Sequence, residues 1–395
     1  MTFLISRRAA LGILAVALTP ACAAAQPTTF ESELQAFRVV PVAEGLVHPW
    51  SIAFVPGGDI LITERPGRLR IVRNGVLRPE PVAGVPAVRA RGQGGLLDVV
   101  LHPDFANNRL VYLSYSKPDT RDGEEGTTAV IRGRLENDQL TGVEEIFEAR
   151  AWSGGNNHFG SRMAFDGDGY LFITVGDRGV RPNLQTAASH PAQDPTNHQG
   201  TVLRLHDDGR VPEDNPFVGR GDTLPEVWSY GHRNLQGLAF HPETGDLWET
   251  EHGPQGGDEL NLVLPGRNYG WPVVGFGVNY GGDVIHEGTE GEGFEQPVHY
   301  WVPSIATSGL MFYTGDQFPA WTGSLFVGGM AGEQLARLTL DGRRVSGEET
   351  LMRDYGRIRD VRQGPDGLIY LAIDDRRGGE TAVVRLEPVS PSQER

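Results

Sequence analysis

The 395-residue chain contains 35 basic and 51 acidic residues, which gives a formal net charge of -16 at pH 7. We expect no binding to nucleic acid, because phosphate contacts require clustered basic residues. The single cysteine excludes disulfide-stapled folds and thiolate metal centres. The 53 glycines and 27 prolines indicate many turns. No long stretch shows a helical period, so we predict an all-β protein.

Residues 1–25 are typical of a twin-arginine export signal. Arg7 and Arg8 precede a short apolar run over 9–18, and small residues follow. The run is too short for a permanent transmembrane helix. We therefore expect cleavage after residue 25, a periplasmic location and no membrane span in the mature chain. Acylation of Cys22 as a lipoprotein is the alternative, and it is disfavoured by the residues that precede this cysteine.

One hairpin pattern recurs along the rest of the chain. Each copy is an apolar strand, a turn rich in proline, glycine and aspartate, and a second apolar strand. The six copies begin at Ser51, Asp98, Arg162, Gly237, Gly309 and Asp360. Further strands follow most copies, for example at 69–72 and 202–205.

Repeated sheets of about four short antiparallel strands are typical of the blades of a β-propeller. The repeats predict a six-bladed β-propeller that occupies residues 26–395 as one domain. A β-sandwich or a jelly roll is the alternative, but neither explains why the same turn motif recurs.

The third copy carries polar residues at the end remote from its turn. The turn is centred on Asp168, with His158 ten residues before it and Asp177 nine residues after it. Residues equally far from a hairpin turn lie at the same end, so we expect these two side chains to be neighbours. A histidine beside a carboxylate suggests a general base held in one tautomer.

Other copies place polar residues at the same position. They are Gln93 before the second copy, Arg233 and Asn234 before the fourth, His252 after the fourth, Arg357 and Arg359 before the sixth, and Asp374 and Asp375 after the sixth. Each residue could cap its own loop, but the shared position favours one site around the central channel. The arginines suggest a polyanionic ligand held by forked hydrogen bonds. Exposed carbonyls and acids over 253–261 suit calcium.

Seven segments resemble the soluble pyrroloquinoline quinone (PQQ)-dependent sugar dehydrogenases, and most closely the periplasmic aldose sugar dehydrogenase branch. They are GQGGLLDVVLHPDF from Gly92, NHFGSRMAFDGDG from Asn157, QDPTNHQGTVLRL from Gln193, YGHRNLQGLAF from Tyr230, EHGPQGGDELN from Glu251, GRNYGWP from Gly266 and GRIRDVRQGPDG from Gly356. The resemblance covers essentially all of the chain after the export segment. It implies a six-bladed propeller that oxidises aldoses at C1 to lactones, with PQQ and calcium as cofactors and broad specificity.

The resemblance also implies a role for each matching residue. His158 would take the proton from the sugar C1 hydroxyl while hydride passes to the C5 carbonyl of PQQ, and Asp177 would orient the imidazole. Arg233 would stabilise charge that develops on the quinone oxygen. The implied PQQ contacts are Gln93, Arg233, Asn234, Tyr280, Gly329, Met330, Ala331, Arg357 and Arg359. The implied calcium ligands are the carbonyls of Gly253 and Pro254 for an ion at PQQ, and Glu259 with the carbonyl of Tyr269 for a second, structural ion.

Two positions depart from the pattern of this family. Many members have a lysine in the loop after the fifth hairpin, where this chain has Ala331, and the single lysine, Lys117, lies elsewhere. The loss of one charged hydrogen bond would weaken PQQ binding by about 1–3 kcal/mol. Pro182 stands where the glucose-specific branch has a substrate-facing glutamine, so we do not expect narrow specificity for glucose.

Two other functions stay open on the sequence alone, because a fold does not choose a reaction. A calcium-dependent sugar lactonase would need carboxylates that hold calcium at the channel, and it would not need three arginines there. A non-catalytic ligand-binding propeller is supported mainly by the missing lysine. For the leading function the expected partners are an aldose and an electron acceptor that no residue identifies.

Overall fold

The computed structural model describes residues 28–389, and strands dominate this range. The expected export signal and its cleavage site lie outside the described residues. Within 28–389 the only α-helix is α1 (Phe105–Asn108). No helix in this range is long and apolar enough to cross a membrane.

The strands form six antiparallel sheets, which confirms the predicted six-bladed β-propeller. Strands β1 (Thr28–Phe30) and β2 (Phe37–Val47) precede the first hairpin. Blade 1 consists of β3 (Pro49–Phe54), β4 (Ile60–Glu64), β5 (Arg68–Arg73) and β6 (Val76–Leu77). Blade 2 consists of β7 (Leu96–Leu101), β8 (Leu110–Pro118), β9 (Gly126–Glu136) and β10 (Gln139–Glu148). Blade 3 consists of β11 (Met163–Phe165), β12 (Leu171–Val175), β13 (Thr201–Leu205) and β14 (Val227–Tyr230).

The second half of the chain repeats the same pattern. Blade 4 consists of β15 (Leu235–Phe240), β16 (Leu247–Glu251), β17 (Asp258–Leu262) and β18 (His299–Trp301). Blade 5 consists of β19 (Thr307–Phe312), β20 (Leu325–Gly329), β21 (Gln334–Asp341) and β22 (Arg344–Leu351). Blade 6 contains β23 (Arg357–Gln363), β24 (Ile369–Asp374) and β25 (Glu380–Pro388). Short 3₁₀ turns occur in the loops at Ala187–Ser189, Pro191–Gln193 and Pro319–Trp321.

The ring closes by pairing strands from the two ends of the described chain. In blade 6, β2 pairs antiparallel with β25, so that Phe37 lies opposite Pro388 and Val47 lies opposite Glu380. Strand β1 extends this blade to five strands. The hairpin pattern did not predict β1 or β2, because their partner lies at the far end of the sequence.

Packing between blades places the first strand of each hairpin around the central channel. These first strands contact one another in the order β3, β7, β11, β15, β19, β23 and back to β3. Apolar side chains fill the space between neighbouring blades, as where Phe37, Trp321 and Phe326 share one buried cluster. Each first strand begins, and each second strand ends, at the same end of the ring. We call this end the channel mouth.

Candidate active site

Two adjoining cavities lie at the channel mouth. The first has a volume of about 580 Å³ and includes Gln93, Met330 and Ala331 in its wall. Its wall also contains the arginines Arg65, Arg357, Arg359 and Arg376, and we call it the arginine cavity. The second has a volume of about 470 Å³, and its wall contains His158, Asp177, Arg233, Pro182 and Pro254. We call it the histidine cavity, and Tyr280 belongs to the walls of both.

His158 and Asp177 make the contact that their distances from the hairpin turn predict. Nδ1 of His158 lies 2.6 Å from Oδ1 of Asp177. The backbone N–H of Gly179 donates to the same oxygen at 2.8 Å, and Nε1 of Trp271 donates to Oδ2 at 2.8 Å. Because Nδ1 faces a carboxylate, it carries the proton, and Nε2 of His158 is the nitrogen free to accept one.

The backbone at His158 adopts a conformation that few residues tolerate. Its φ of 54° lies in the left-handed region, and its N–H donates to Oε1 of Gln93 at 2.8 Å. Gly176 packs so closely that a Cβ there would lie 2.5 Å from the carbonyl oxygen of His158. Surrounding contacts must hold such a strained residue in place, and strain of this kind is common at functional sites.

The electrostatics of the pair favour a neutral imidazole beside a carboxylate. Burial lowers the pKa of His158, Asp177 opposes this shift, and the positive charge of Arg233 adds to it. Burial alone would raise the pKa of Asp177, but His158 and Arg233 outweigh it and the pKa is lowered. His158 is therefore in the form that accepts a proton at neutral pH.

Arg233 stands beside this pair and is held by backbone carbonyls. Its Nη1 donates to the carbonyl oxygens of His252 and Gly253, each at 2.8 Å. Its guanidinium carbon lies 5.1 Å from the ring centroid of Trp271. Its Nε is buried and has no hydrogen-bond partner within 28–389, so an N–H of this cation is still available at the site.

The arginine cavity concentrates positive charge. Nη1 of Arg359 donates to Oε1 of Gln236 at 2.9 Å, and Nη1 of Arg357 donates to the carbonyl of Met330 at 2.9 Å. Burial lowers the pKa of Arg359 to about 9, and Asp374 opposes this shift while the neighbouring arginines add to it. The cavity is therefore suited to an anion that would replace the lost hydration of these cations.

Three of the expected site residues lie behind the cavity walls. Asn234 is buried, and its Oδ1 accepts from the backbone N–H of Gly160 at 3.2 Å and from Nε2 of Gln236 at 3.3 Å. Its Nδ2 has no partner among the described residues. Gly329 pairs with Gln334 in the sheet of blade 5, and the carbonyl of Gly253 is engaged by Arg233. Asn234 and Gly253 thus contact residues that line the cavities.

A cluster of acidic residues lies inside blade 4. The pairing of β16 with β17 sets Glu249 opposite Asn261 and Glu251 opposite Glu259, on one face. Nδ2 of Asn261 donates to Glu249 at 2.8 Å, to Glu259 at 3.2 Å and to Glu251 at 3.4 Å. Nδ1 of His232 lies 3.6 Å from Glu249 and 3.5 Å from Glu251. We call these five residues the acid cluster.

The acid cluster has the chemistry of a cation site. Burial, together with the charge of Glu251, raises the pKa of both Glu249 and Glu259 well above the usual value. Oε2 of Glu249 and Oδ1 of Asn261 are buried and have no donor in the part of the chain that the structure describes. Carboxylate and amide oxygens are the ligands that calcium prefers. Tyr269 stacks on His232, with ring centroids 4.3 Å apart, so it lies at the edge of this cluster.

The sequence did not predict the roles of two supporting residues. Trp271 is buried and holds Asp177, although the two lie in different blades and nothing local links them. The guanidinium carbon of Arg178 lies 3.5 Å from the ring centroid of Phe159, and Nη2 donates to the carbonyl of Gly155 at 2.9 Å. Nη1 of Arg178 also donates to the carbonyl of Asn157, so this arginine orders the loop before His158. The sequence signal that could have predicted this role is the position of Arg178 directly after Asp177.

Comparison with known proteins identifies the family. The model of the glucose/sorbosone dehydrogenase family matches residues 46–385. The chain belongs to this family. Membership supports an oxidoreductase that acts on sugars.

Proteins named as aldose sugar dehydrogenases match most of the length of this chain. The aldose sugar dehydrogenase YliI of Escherichia coli is 45% identical over 348 residues, which cover 86% of this chain and 91% of the relative. The crystal structure of the soluble aldose sugar dehydrogenase from Escherichia coli in the apo-form matches with a TM-score of 0.83 and 42% identity, over 89% of this chain and all of that one. The PQQ-bound form of the aldose sugar dehydrogenase from Streptomyces coelicolor matches with a TM-score of 0.70 and 30% identity, over 88% of this chain and 97% of that one.

Proposed function

We propose that the protein is a PQQ- and calcium-dependent aldose dehydrogenase that oxidises sugars at C1 to lactones with broad specificity. One observation carries the proposal: the pair of partly buried His158 and buried Asp177 lies in a cavity that adjoins one lined by four arginines. A base for the sugar hydroxyl and a cationic site for an anionic cofactor are thus side by side.

The arginine cavity fits PQQ in size and charge. Its volume of about 580 Å³ lies within the range usual for cofactor pockets. Guanidinium groups pair well with the three carboxylates of PQQ. Unused N–H groups are present at Nε of Arg357 and, beside the histidine cavity, at Nε of Arg233. When bound, PQQ supplies the two-electron acceptor for the hydride of the sugar C1.

The residues of the chain supply the base and its orientation. Nε2 of His158 accepts the proton of the C1 hydroxyl, and Asp177 stabilises the imidazolium that results. Trp271 and Gly179 hold the carboxylate of Asp177, so the imidazole keeps one orientation. Arg233 supplies a fixed positive charge beside the pair, which favours negative charge that develops in the transition state.

Two calcium ions complete the proposal. The acid cluster supports a structural ion held by Glu259 together with the carbonyl of Tyr269, because its buried oxygens outnumber their donors. The ion at PQQ would be bound by the carbonyls of Gly253 and Pro254. Pro254 lies in the wall of the histidine cavity, and the carbonyl of Gly253 has a second lone pair beside the one that Arg233 engages.

Broad specificity is supported by the wall of the histidine cavity. Pro182 has no side-chain hydrogen-bonding group, so it cannot select one sugar hydroxyl, and its carbonyl already accepts from Asn279 at 3.2 Å. A periplasmic location is supported by the arginine pair and apolar run of residues 1–25. The electron acceptor is outside the proposal.

Reconstitution with cofactors tests the proposal. Purified protein is incubated with PQQ and calcium chloride, and reduction of a redox dye is followed with glucose, xylose and maltose. We expect reduction with several aldoses and none when PQQ is left out. PQQ binding without dye reduction by any aldose would contradict the proposal and favour a binding protein. Hydrolysis of a sugar lactone without PQQ would favour the lactonase.

A further inference from the structure

We propose that Arg376 is a further PQQ-binding residue and that it supplies the positive charge missing at Ala331. The inference rests on the proposed function, since it takes the carboxylates of PQQ as the ligand. It assigns a ligand contact to a residue outside every motif of the family resemblance.

The residues that line the arginine cavity carry a net positive charge. Four arginines contribute +4 and Asp374 contributes -1, which leaves +3. This count covers the arginines and the aspartate of the wall. Arg376 therefore raises the net charge of these wall residues from +2 to +3, and the calcium ion proposed at PQQ would add to this charge.

The four guanidinium groups differ in the hydrogen bonds that they make within the protein. Arg357 and Arg359 donate to Met330 and Gln236, and Nη1 of Arg65 donates to the carbonyl of Gly92. The side chain of Arg376 makes no hydrogen bond or ion pair with any residue of 28–389, although it lies in the cavity wall. It is the cation with the most free donors for a ligand.

The loop after β24 presents Arg376 to the cavity in an ordered turn. Oδ1 of Asp375 accepts from the backbone N–H of Arg377 at 2.6 Å and from that of Gly379 at 3.3 Å. The N–H of Gly378 closes the turn on the carbonyl of Asp375 at 3.1 Å. Arg377, next along the chain, is also exposed but does not belong to the wall. An exposed arginine is ordinarily just solvated, so this neighbour is the natural control.

The position of Ala331 allows a test of whether a positive charge at 331 can replace the charge of Arg376. Ala331 lies in the wall of the same cavity, and its backbone N–H donates to the carbonyl of Ile305 at 2.8 Å. Its methyl group offers no charge or donor. A lysine introduced at 331 should therefore compensate for the loss of Arg376, because both side chains reach one cavity.

The test is equilibrium binding of PQQ to the purified, calcium-loaded protein, measured by titration calorimetry. We expect Arg376→Ala to raise the Kd for PQQ by about five- to ten-fold, as for one partly screened charged contact. Arg377→Ala should change the Kd by less than about two-fold, since its charge lies outside the wall. Arg376→Lys should retain most of the affinity. Adding Ala331→Lys to Arg376→Ala should restore it.

Equal affinities of Arg376→Ala and Arg377→Ala, with tight binding by the wild type, would overturn the inference and leave the proposed function intact. Failure of Ala331→Lys to improve binding by Arg376→Ala would also overturn it. No binding of PQQ by the wild type would overturn the proposed function, and the inference with it.

Discussion

Nδ1 of His158 and Oδ1 of Asp177 lie 2.6 Å apart, on the two arms of one hairpin. The pair is also tied to blade 4, because Trp271 donates to Oδ2 of Asp177. The loop inserted between β17 and β18 thus fixes a side chain of blade 3. The orientation of the proposed base depends on packing between blades and cannot be set by the hairpin alone.

Removal of the carboxylate tests this dependence. We expect Asp177→Asn to lower kcat by about 10²- to 10⁴-fold, because the imidazolium loses its stabilising charge and the tautomer is no longer fixed. Steady-state dye reduction by the PQQ-loaded protein measures this. Asp168→Asn, at the exposed turn of the same hairpin, is the matched control and should leave kcat unchanged. Similar activity in both variants would remove Asp177 from the proposed role.

The pH dependence of kcat/KM follows from the environment of His158. Its neutral form is the active one, and burial lowers its pKa below 6.5. We therefore expect kcat/KM to rise with pH on the acid side, with a midpoint below 6.5. Near neutrality kcat/KM should no longer change with pH. Because Asp177 opposes the shift, Asp177→Asn should move the midpoint to still lower pH. A midpoint that moves upward would contradict this assignment.

Calcium should stabilise the protein more at high pH than at low pH. The pKa values of Glu249 and Glu259 are raised by burial and by Glu251. In the calcium-free protein their stabilising contribution is therefore present below pH 4.5 and is lost as pH rises through the raised values. Calcium at 100 times its Kd adds about 2.7 kcal/mol of stability. We expect the increase in Tm on adding calcium to be larger at about pH 8 than at about pH 5.

A variant of the acid cluster locates this calcium effect. Glu259→Gln should abolish most of the increase in Tm, whereas Glu287→Gln, at an exposed position of the loop between β17 and β18, should keep it. Differential scanning calorimetry with calcium or a chelator gives both values. An unchanged calcium effect in Glu259→Gln would place the ion elsewhere.

Closure of the ring by β2 predicts a large cost for a change far from the site. Phe37 is fully buried, and its ring centroid lies 5.5 Å from that of Trp321 in blade 5. Phe37→Ala should lower the free energy of unfolding by about 3–5 kcal/mol. Leu34→Ala, at an exposed position just before β2, should cost less than about 0.5 kcal/mol. Equal urea midpoints for the two variants would show that β2 does not close the ring.

The sequence predicted what local patterns encode. The repeated hairpins gave the six blades, and the symmetric distances from Asp168 gave the contact of His158 with Asp177. The pairing of strand β2 and the hydrogen bond from Trp271 to Asp177 were not predicted, because each joins residues far apart in sequence. The acid cluster was predicted only through Glu259. Glu249, Glu251 and Asn261 alternate along β16 and β17, but the register that brings them together is set by pairing of the two strands. His232 joins them from the loop before β15.

The most direct test of the account replaces the proposed base. PQQ binding and aldose-dependent dye reduction are measured for the wild type and for His158→Gln, both loaded with calcium. We expect the Kd for PQQ to stay within about two-fold and kcat to fall by about 10²- to 10⁴-fold, because proton removal from the C1 hydroxyl is lost. A variant that binds PQQ and keeps kcat within about two-fold of the wild type would contradict the assignment of His158 as the base.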